Sequence, residues 1–454
     1  MNPNHFSILS LPQSMLHNLN NLGYETMTPV QAQSLPPILQ NEDVIAQAKT
    51  GSGKTAAFGI GLLTKLDVKK NKLQSLVLCP TRELADQVVK EIRRLARFTP
   101  NIKIMTLCGG MSYRKQVESM RHEPHVIVGT PGRILKHLDK NSLSLEALDT
   151  LVIDEAHRML DMGFIEEINK VIYYAPANRQ TLLFSATFPD EIMELSATIQ
   201  EDAINIQTID DELPNPITEY FYEVDPDAKL STLIKLFAHH RPENVIVFCK
   251  AKLRSQEIAE DLNRKSIEAL AIHGNLEQYE RTDVLMQFAN RSCSVLIATD
   301  VAARGLDIKE LEMVINYDMP HDQSTYTHRI GRTGRAGKEG IAITLYSGYE
   351  ADEYRNDIRL FEAVDSLSVN KRFTFKSPNV TLVIEGGKKN KVRPGDILGA
   401  LTGDAGIAGK YVGKIDIYDH QSYVAIERSM IDEAYSQLKK GKIKGRKFSV
   451  WILK

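Results

Sequence analysis

The sequence predicts an α/β chain: two tandem lobes, each a parallel sheet flanked by helices, followed by a small βαββαβ domain. Three observations predict it. Through about Thr208, short apolar runs alternate with longer amphipathic segments, and strands buried on both faces read as continuous apolar runs. The same rhythm restarts after DDELPNPITEY (211–221), a polar, proline-containing break of the kind that joins domains. From Val380 the pattern becomes strand, helix, strand, strand, helix, strand, a split βαβ order. At 454 residues the chain exceeds what one core accommodates, and the boundaries fall at 1–208, 209–374 and 375–454.

The first lobe's runs are DVIAQ (43–47), SLVLCP (75–80), HVIVGT (125–130), TLVIDE (150–155) and TLLFSAT (181–187). In open parallel sheets the loops at the strands' carboxyl ends bind ligands. Those ends here carry Pro-Thr-Arg, Thr-Pro-Gly-Arg, Asp-Glu-Ala-His and Ser-Ala-Thr. The second lobe's runs are NVIVFC (244–249), SVLIATD (294–300), EMVINYD (312–318) and GIAITLY (340–346), and the charged segment 350–378 is expected to close that lobe with a helix. The third domain reads VTLVIE (380–385), RPGDILGALTGD (393–404), GKIDIY (413–418), SYVAIE (422–427), SMIDEAYSQLKK (429–440) and KFSVWIL (447–453).

A chain 43% hydrophobic and 25% charged is composed like an ordinary soluble globular protein. No run approaches the ~20 apolar residues that span a bilayer, and MNPNHFSILSLPQSM shows no basic-then-apolar leader. Cys79, Cys108, Cys249 and Cys293 lack C-x-x-C spacing, so free thiols in a reducing cytoplasm are expected. The net charge of −2 conceals an uneven distribution: residues 379–454 hold 14 basic and 8 acidic side chains, the remainder 42 and 50. A basic tail on an acidic body suits a polyanion.

The strongest local signal is AKTGSGKT (48–55), a phosphate-binding loop after a strand. Thr50, Gly51, Ser52 and Gly53 wrap backbone N–H groups round phosphates, Lys54 reaches the β/γ oxygens, and Thr55 can hold Mg²⁺. Asp154 and Glu155 end an apolar strand; the first can hold Mg²⁺ and the second can orient or deprotonate water. In HRIGRTGR (328–335), Arg332 and Arg335 are spaced to reach a γ-phosphate as arginine fingers, worth roughly 10³–10⁵ in rate; the bland alternative is a solvated basic face. In the tail, a flexible glycine pair opens GGKKNKVRPGD (386–396), and Lys388, Lys389, Lys391 and Arg393 follow; a second basic cluster is KKGKIKGRK (439–447). Such cations hold phosphate without reading sequence. SYVAIE lacks the aromatic pattern of base-stacking strands, Tyr423 being its one aromatic, so loops and edges are expected to meet a folded RNA.

Taken in order, these motifs resemble the DEAD-box family of RNA helicases across nearly the whole chain. The resemblance implies RecA-like lobes, an RRM-like tail, and ATP and Mg²⁺ as cofactors, the metal on Thr55 and Asp154. It implies that Gln31 of GYETMTPVQ (23–31) hydrogen-bonds adenine and that Phe6 stacks on it. RNA contacts would come from Pro80, Thr81 and Arg82, from Gly110, and from Thr130, Pro131, Gly132 and Arg133. In ATDVAARGLD (298–307), Gly305 and Asp307 would meet the nucleotide, while Thr299 and Arg304 would lie toward RNA or the interlobe network. Ser185 and Thr187 would couple hydrolysis to unwinding, with Lys54, Glu155, Arg332 and Arg335 catalytic. His157 stands where the family has Asp, on the residue that links the ATP site to Ser-Ala-Thr; an unperturbed imidazole titrates near pH ~6.5. That departure keeps an ATP-gated clamp without turnover as an alternative, and a DNA helicase is a second. The tail resembles that of a bacterial branch of the family, implying a 23S rRNA hairpin as target and a place in large-subunit assembly. A cytoplasmic monomer is expected, with no membrane partner.

Overall fold

The computed structural model describes residues 4–453 except 49–50, 209–216, 304–310, 335–338, 349, 352–358, 368–372 and 404–405. Its chain divides into two compact units at 211/212, and the C-terminal domain belongs to the second unit.

The first unit is built on β1 (Val44–Gln47), β2 (Ser75–Leu78), β3 (Ile104–Leu107), β4 (Val126–Gly129), β5 (Thr150–Asp154), β6 (Gln180–Ser185) and β7 (Ile204–Gln207). All pair parallel, in the order β3-β4-β2-β5-β6-β1-β7. Successive side chains go to opposite faces. Val77, Val128, Val152 and Leu182 join one core cluster, while Leu76, Ile127, Leu151 and Leu183 join the other. Covering both faces removes solvent-facing positions, so the inner strands are apolar through their middles, with polar residues at their ends. The two strands that the periodicity does not reveal, β3 and β7, are the sheet's edges and carry partly exposed side chains.

The second unit repeats the plan with β8 (Ile217–Glu223), β9 (Val245–Phe248), β10 (Ala269–Ile272), β11 (Val295–Ala298), β12 (Met313–Asn316), β13 (Gly340–Tyr346) and β14 (Leu360–Glu362). The order is β10-β11-β9-β12-β13-β8-β14, again all parallel. One expectation is corrected here. Residues 217–221, read as part of a linker, form the first five residues of β8. In the segment 350–378, Leu360–Glu362 forms the edge strand β14, while 352–358 and 368–372, where the expected helix could fall, lie outside the described residues. β8 escaped notice because it is polar for a structural purpose. Glu219 is buried and accepts hydrogen bonds from Tyr326 Oη (2.5 Å) and Arg359 Nε (2.8 Å), the partners a buried carboxylate requires.

The C-terminal domain pairs β15 (Asn379–Ile384), β16 (Val412–Ile417), β17 (Ser422–Glu427) and β18 (Val450–Ile452) antiparallel, in the order β16-β17-β15-β18. Helices Pro394–Thr402 and Ile431–Lys440 cover one face, over a core of Leu382, Ile384, Ile397, Leu401, Val424, Ile426, Ala434 and Leu438. All four cysteines are buried and free, and no helix among the described residues is long and apolar enough to cross a membrane.

A bidentate ion pair ties two motif-bearing segments of the second lobe. Arg329 donates to Asp300 through Nε and Nη2, both at 2.7 Å, and through Nη1 to Asn316 Oδ1 (3.1 Å) and Asp318 O (2.8 Å). Removing one partner leaves a poorly solvated charge. Arg329→Ala should therefore destabilise the second lobe by about 3 kcal/mol, read as an earlier unfolding transition in denaturant. Lysine at 329 should fail to rescue it, because a point charge cannot make the fork.

Candidate nucleotide and RNA sites

The strand order of the first sheet sorts its chemistry. β5, β6 and β1 lie side by side, so Asp154-Glu155, Ser185 and the phosphate-loop sequence leave one edge as neighbours. Ala48 N–H, at the mouth of that loop, donates to Ser185 O at 2.9 Å.

Glycine is required at Gly53 twice over. Its φ is +95°, in the left-handed region, and an added Cβ would lie 2.4 Å from Gln31 Nε2. Gln31 sits in the first turn of helix Pro29–Leu39. Its Oε1 accepts from Thr28 N (3.0 Å), and its Nε2 donates to Gly53 O (3.2 Å). The adenine-reading candidate is thereby joined to the phosphate loop. Gly51 shares the positive φ, at +90°, and Ser52 follows it; Thr50 lies outside the described residues. Helix Lys54–Lys65 then begins, directing free N–H groups and the positive end of its dipole outward, an anion-binding arrangement. Phe6 is buried, edge-on to Tyr24 at 6.2 Å; its faces are covered by protein, so stacking on a base requires that turn to shift.

Lys54 is buried, its Nζ 2.9 Å from Ala48 O and 3.0 Å from Glu155 Oε1. Glu155 has φ +57°, uncommon for a residue with a side chain and costing of order 1–3 kcal/mol; that turn sets its carboxylate against Lys54. Burial works to raise the Glu155 pKa, but Lys54, Arg158 and His157 outweigh it and hold the carboxyl well below the usual range. Such a carboxylate is ionised and can orient a water, but its basicity rises only when Lys54 is drawn away from it. Burial, with Glu155 adding to it and Lys54 opposing, pushes Asp154 up to about 7. Asp154 Oδ1 is buried and takes no hydrogen bond among the described residues. A buried oxygen of this kind fits a divalent cation, whose charge would restore the ionised form; Thr55, in the first helical turn, is the second candidate ligand.

His157 ties this acid pair to Ser-Ala-Thr. Its Nδ1 lies 2.9 Å from Ser185 Oγ, and Ser185 Oγ donates to Thr187 O at 2.6 Å. Ala186 N donates to the same Nδ1 at 3.3 Å, so Nδ1 carries the lone pair and the ring proton sits on Nε2. Nε2 faces Glu155 Oε2 at 3.5 Å. A neutral ring protonated on Nε2 points its N–H at Glu155 while Nδ1 accepts from the Ser-Ala-Thr side.

The other half of the sheet, β3-β4-β2, carries the RNA candidates. Pro80, Thr81 and Arg82 follow β2; Thr81 caps helix Arg82–Leu95 by accepting from Leu84 N at 3.3 Å. Gly110, φ +75°, follows β3. Thr130, Pro131, Gly132 and Arg133 follow β4 and open helix Pro131–Asp139. Arg133 Nη1 donates to Met111 O (3.0 Å) and Gln116 Oε1 (2.7 Å), bracing the turn after β3 against the one after β4. Two helix N-termini with arginines suit phosphates, which position RNA without reading sequence.

In the second lobe, Thr299 and Arg332 are buried; Arg304, Gly305, Asp307 and Arg335 lie outside the described residues. Sequence reasoning missed Arg329, because within HRIGRTGR nothing distinguishes the arginine that braces the lobe. In the tail, antiparallel pairing brings loops 385–393, 418–421 and 441–449 to one end of the sheet. Lys388, Lys389, Lys391, Arg393, Lys444, Arg446 and Lys447 are all exposed there, and Lys444 Nζ donates to Lys391 O at 3.1 Å. The glycine pair, read as flexible, is instead packed. A Cβ on Gly387 would sit 2.2 Å from Tyr418 O, and one on Gly386 2.7 Å from the Phe448 ring.

Comparisons with known proteins give the family. Residues 28–195 match the DEAD/DEAH box helicase family, 228–337 the helicase conserved C-terminal domain and 381–452 the DbpA RNA binding domain. The chain is 50% identical to the ATP-dependent RNA helicase DbpA of Escherichia coli, over 99% of both proteins. It is 41% identical to the DEAD-box ATP-dependent RNA helicase CshA of Geobacillus kaustophilus, over 85% of this chain and 81% of that one. It is also similar in structure to Saccharomyces cerevisiae Dbp5 bound to RNA and ADP BeF3, with TM-score 0.72 and 29% identity over 80% of this chain and 96% of the other.

Glu155→Gln should keep ATP and RNA binding while lowering steady-state phosphate release about 10²–10⁴-fold, the range for a lost general base. Near-parental turnover would remove Glu155 from that role. His157→Asp should change the number of duplexes unwound per ATP, measured at about pH 6 and pH 8, because a carboxylate replaces the imidazole that spans Ser185 and Glu155. Identical ratios for both proteins at both pH values would show the imidazole bridge to be idle.

Proposed function

The chain belongs to the DEAD-box ATP-dependent RNA helicases of the DbpA type, and from that premise we propose that it unwinds duplexes near a 23S rRNA hairpin during large-subunit assembly. The observation that carries the target is the basic end of the C-terminal domain, where three loops gather exposed cations at one end of the sheet rather than along a base-stacking strand. A folded RNA presents phosphates to such a surface, whereas a single strand needs aromatic platforms.

In this reading the phosphate loop and Lys54 bind the triphosphate, exchanging the Lys54–Glu155 pair for phosphate oxygens. Gln31 reads adenine, with Phe6 stacking once its turn has moved. Glu155 takes the proton of the attacking water, and Arg332 and Arg335 supply positive charge to the transferring phosphoryl group. Mg²⁺, held by Thr55 and Asp154, would neutralise phosphate charge. Gly305 and Asp307 meet the nucleotide from the second lobe. Pro80, Thr81, Arg82, Gly110, Thr130 to Arg133 and Thr299 hold the RNA backbone. His157, Ser185 and Thr187 pass the state of the ATP site to the backbone of the segment after β6.

The test is ATPase stimulation by large-subunit rRNA fragments with and without the hairpin, using the full chain. Hairpin-bearing RNA should stimulate at far lower concentration; equal stimulation by both would overturn the target. In the same chain, replacing Lys388, Lys389 and Lys391 with Ala should weaken hairpin binding. It should also flatten the slope of log affinity against log salt by up to about 0.9 for each phosphate that is no longer neutralised.

A further inference from the structure

Arg133 stands in the first turn of helix Pro131–Asp139, and its guanidinium is held from behind. The holder is Gln116, buried in helix Tyr113–Ser119. Gln116 Oε1 accepts from Arg133 Nη1 at 2.7 Å, and Gln116 Nε2 donates to Cys108 O at 3.1 Å. Both partners are one-sided, since a guanidinium only donates and a carbonyl only accepts. The amide therefore has a single orientation, with its oxygen toward Arg133.

A second donor to the same oxygen continues the line. His137 Nε2 lies 3.1 Å from Gln116 Oε1, so that nitrogen carries the ring proton and Nδ1 carries the lone pair. Ser142 Oγ, 2.9 Å from Nδ1, donates to it and accepts from Tyr113 Oη at 2.8 Å. The Tyr113 ring also stacks on the imidazole, centroids 4.5 Å apart. His137 is fully buried, and burial, with Arg133 and Lys136 adding to it, pushes its pKa down to about 4. At neutral pH the ring is uncharged, and each proton from Tyr113 to Arg133 has one place to go.

Such holding matters because an arginine side chain is long. Arg133 is partly exposed, and an unheld guanidinium would give up rotamer freedom on meeting a phosphate. Here much of that freedom is already gone. Nη1 donates to Gln116 Oε1 and to Met111 O (3.0 Å), which occupies both of its protons. The remaining donors of the fork are left for an anion.

We propose that Gln116 is a positioning residue for RNA binding: it fixes the Arg133 guanidinium so that the free edge of the fork meets a backbone phosphate ready-ordered. The inference rests on the reading above that Arg133 holds the RNA backbone. Gln116 lies buried behind the arginine and acts only through it. A glutamine that merely braced the fold would reveal itself in stability or nucleotide binding, whereas one that presents a cation also changes how RNA affinity depends on salt.

The experiment measures binding of a labelled single-stranded oligouridylate to the full chain with a non-hydrolysable ATP analogue present. Excess unlabelled hairpin fragment occupies the tail. Gln116→Met keeps the volume and loses both hydrogen-bonding ends. It should weaken binding about tenfold, the scale of one hydrogen bond to a charged group. It should also flatten the slope of log affinity against log salt by up to about 0.7, the share of one single-strand phosphate. Affinity for the ATP analogue should stay within about twofold of the parent, since no contact of Gln116 reaches the phosphate loop. Arg133→Ala should behave alike, and the double variant should bind no more than about twofold worse than Arg133→Ala, because both act through one contact. Gln116→Glu keeps an oxygen toward Arg133 and should bind at least about threefold more tightly than Gln116→Met. Gln116→Asn, one methylene short of Arg133, should share the loss and serves if Gln116→Met does not fold. Parental affinity in the Met and Asn variants, a loss with the parental salt slope, or losses that multiply in the double variant overturns the inference. Parental binding and slope in Arg133→Ala would instead overturn Arg133 as an RNA contact, and the inference with it.

Discussion

Parallel strands deliver all their carboxyl ends to one edge, and in the first lobe that edge is where the candidate phosphate, acid and RNA-backbone groups emerge. The order β3-β4-β2-β5-β6-β1-β7 then divides it. Residues following β3, β4 and β2 suit phosphate backbones, and those following β5, β6 and β1 suit a triphosphate. β5 lies between the halves, so the acidic pair at its end has RNA-facing turns on one side and Ser-Ala-Thr on the other. A crossover topology with both sheet faces buried is what creates this edge; the motifs are legible as short peptides, but their adjacency comes from strand order.

The edge collects charge that the fold must keep buried and paired. Lys54, Asp154, Glu155, His157 and Arg158 are all under 6% exposed. Paired in this way, Glu155 stays ionised while Asp154 is pushed toward protonation. Two neighbouring carboxyls driven apart in pKa divide into different roles: one already charged and facing a lysine that a phosphate can take from it, the other needing a cation to become so. His157 adds a route outward, because its ring spans from Glu155 to Ser185.

The inner strands and the order of the motifs were readable because burial on both faces leaves an unbroken apolar signature. The edge strands β3, β7, β10 and β14 do not need that signature, and β8 hides behind its polar residues because Glu219 anchors an internal network with Tyr326 and Arg359. At the site, residue types at fixed spacing announced Lys54, Asp154 and Glu155. The Gln31–Gly53 link and the role of Arg329 were not legible, since each depends on a partner 22 or 29 positions away. The glycine pair at 386–387 was misread for a related reason. Sequence shows that a side chain is missing, and only the fold shows that Tyr418 O and Phe448 occupy its place.

The C-terminal domain's sheet face opposite its helices also bears on which RNA the tail can hold, because Val383 and Tyr423 are buried on it. Tyr423 does not serve as a stacking platform while its hydroxyl is bonded to Asp283, so the face that would read splayed bases contributes packing instead. What remains for RNA is the loop end with its exposed cations. Phosphate contacts carry little sequence information, so selectivity from such a surface must come from the spacing of phosphates in a folded shape. A hairpin offers that spacing at no ordering cost, whereas a flexible strand would lose conformational entropy to adopt it.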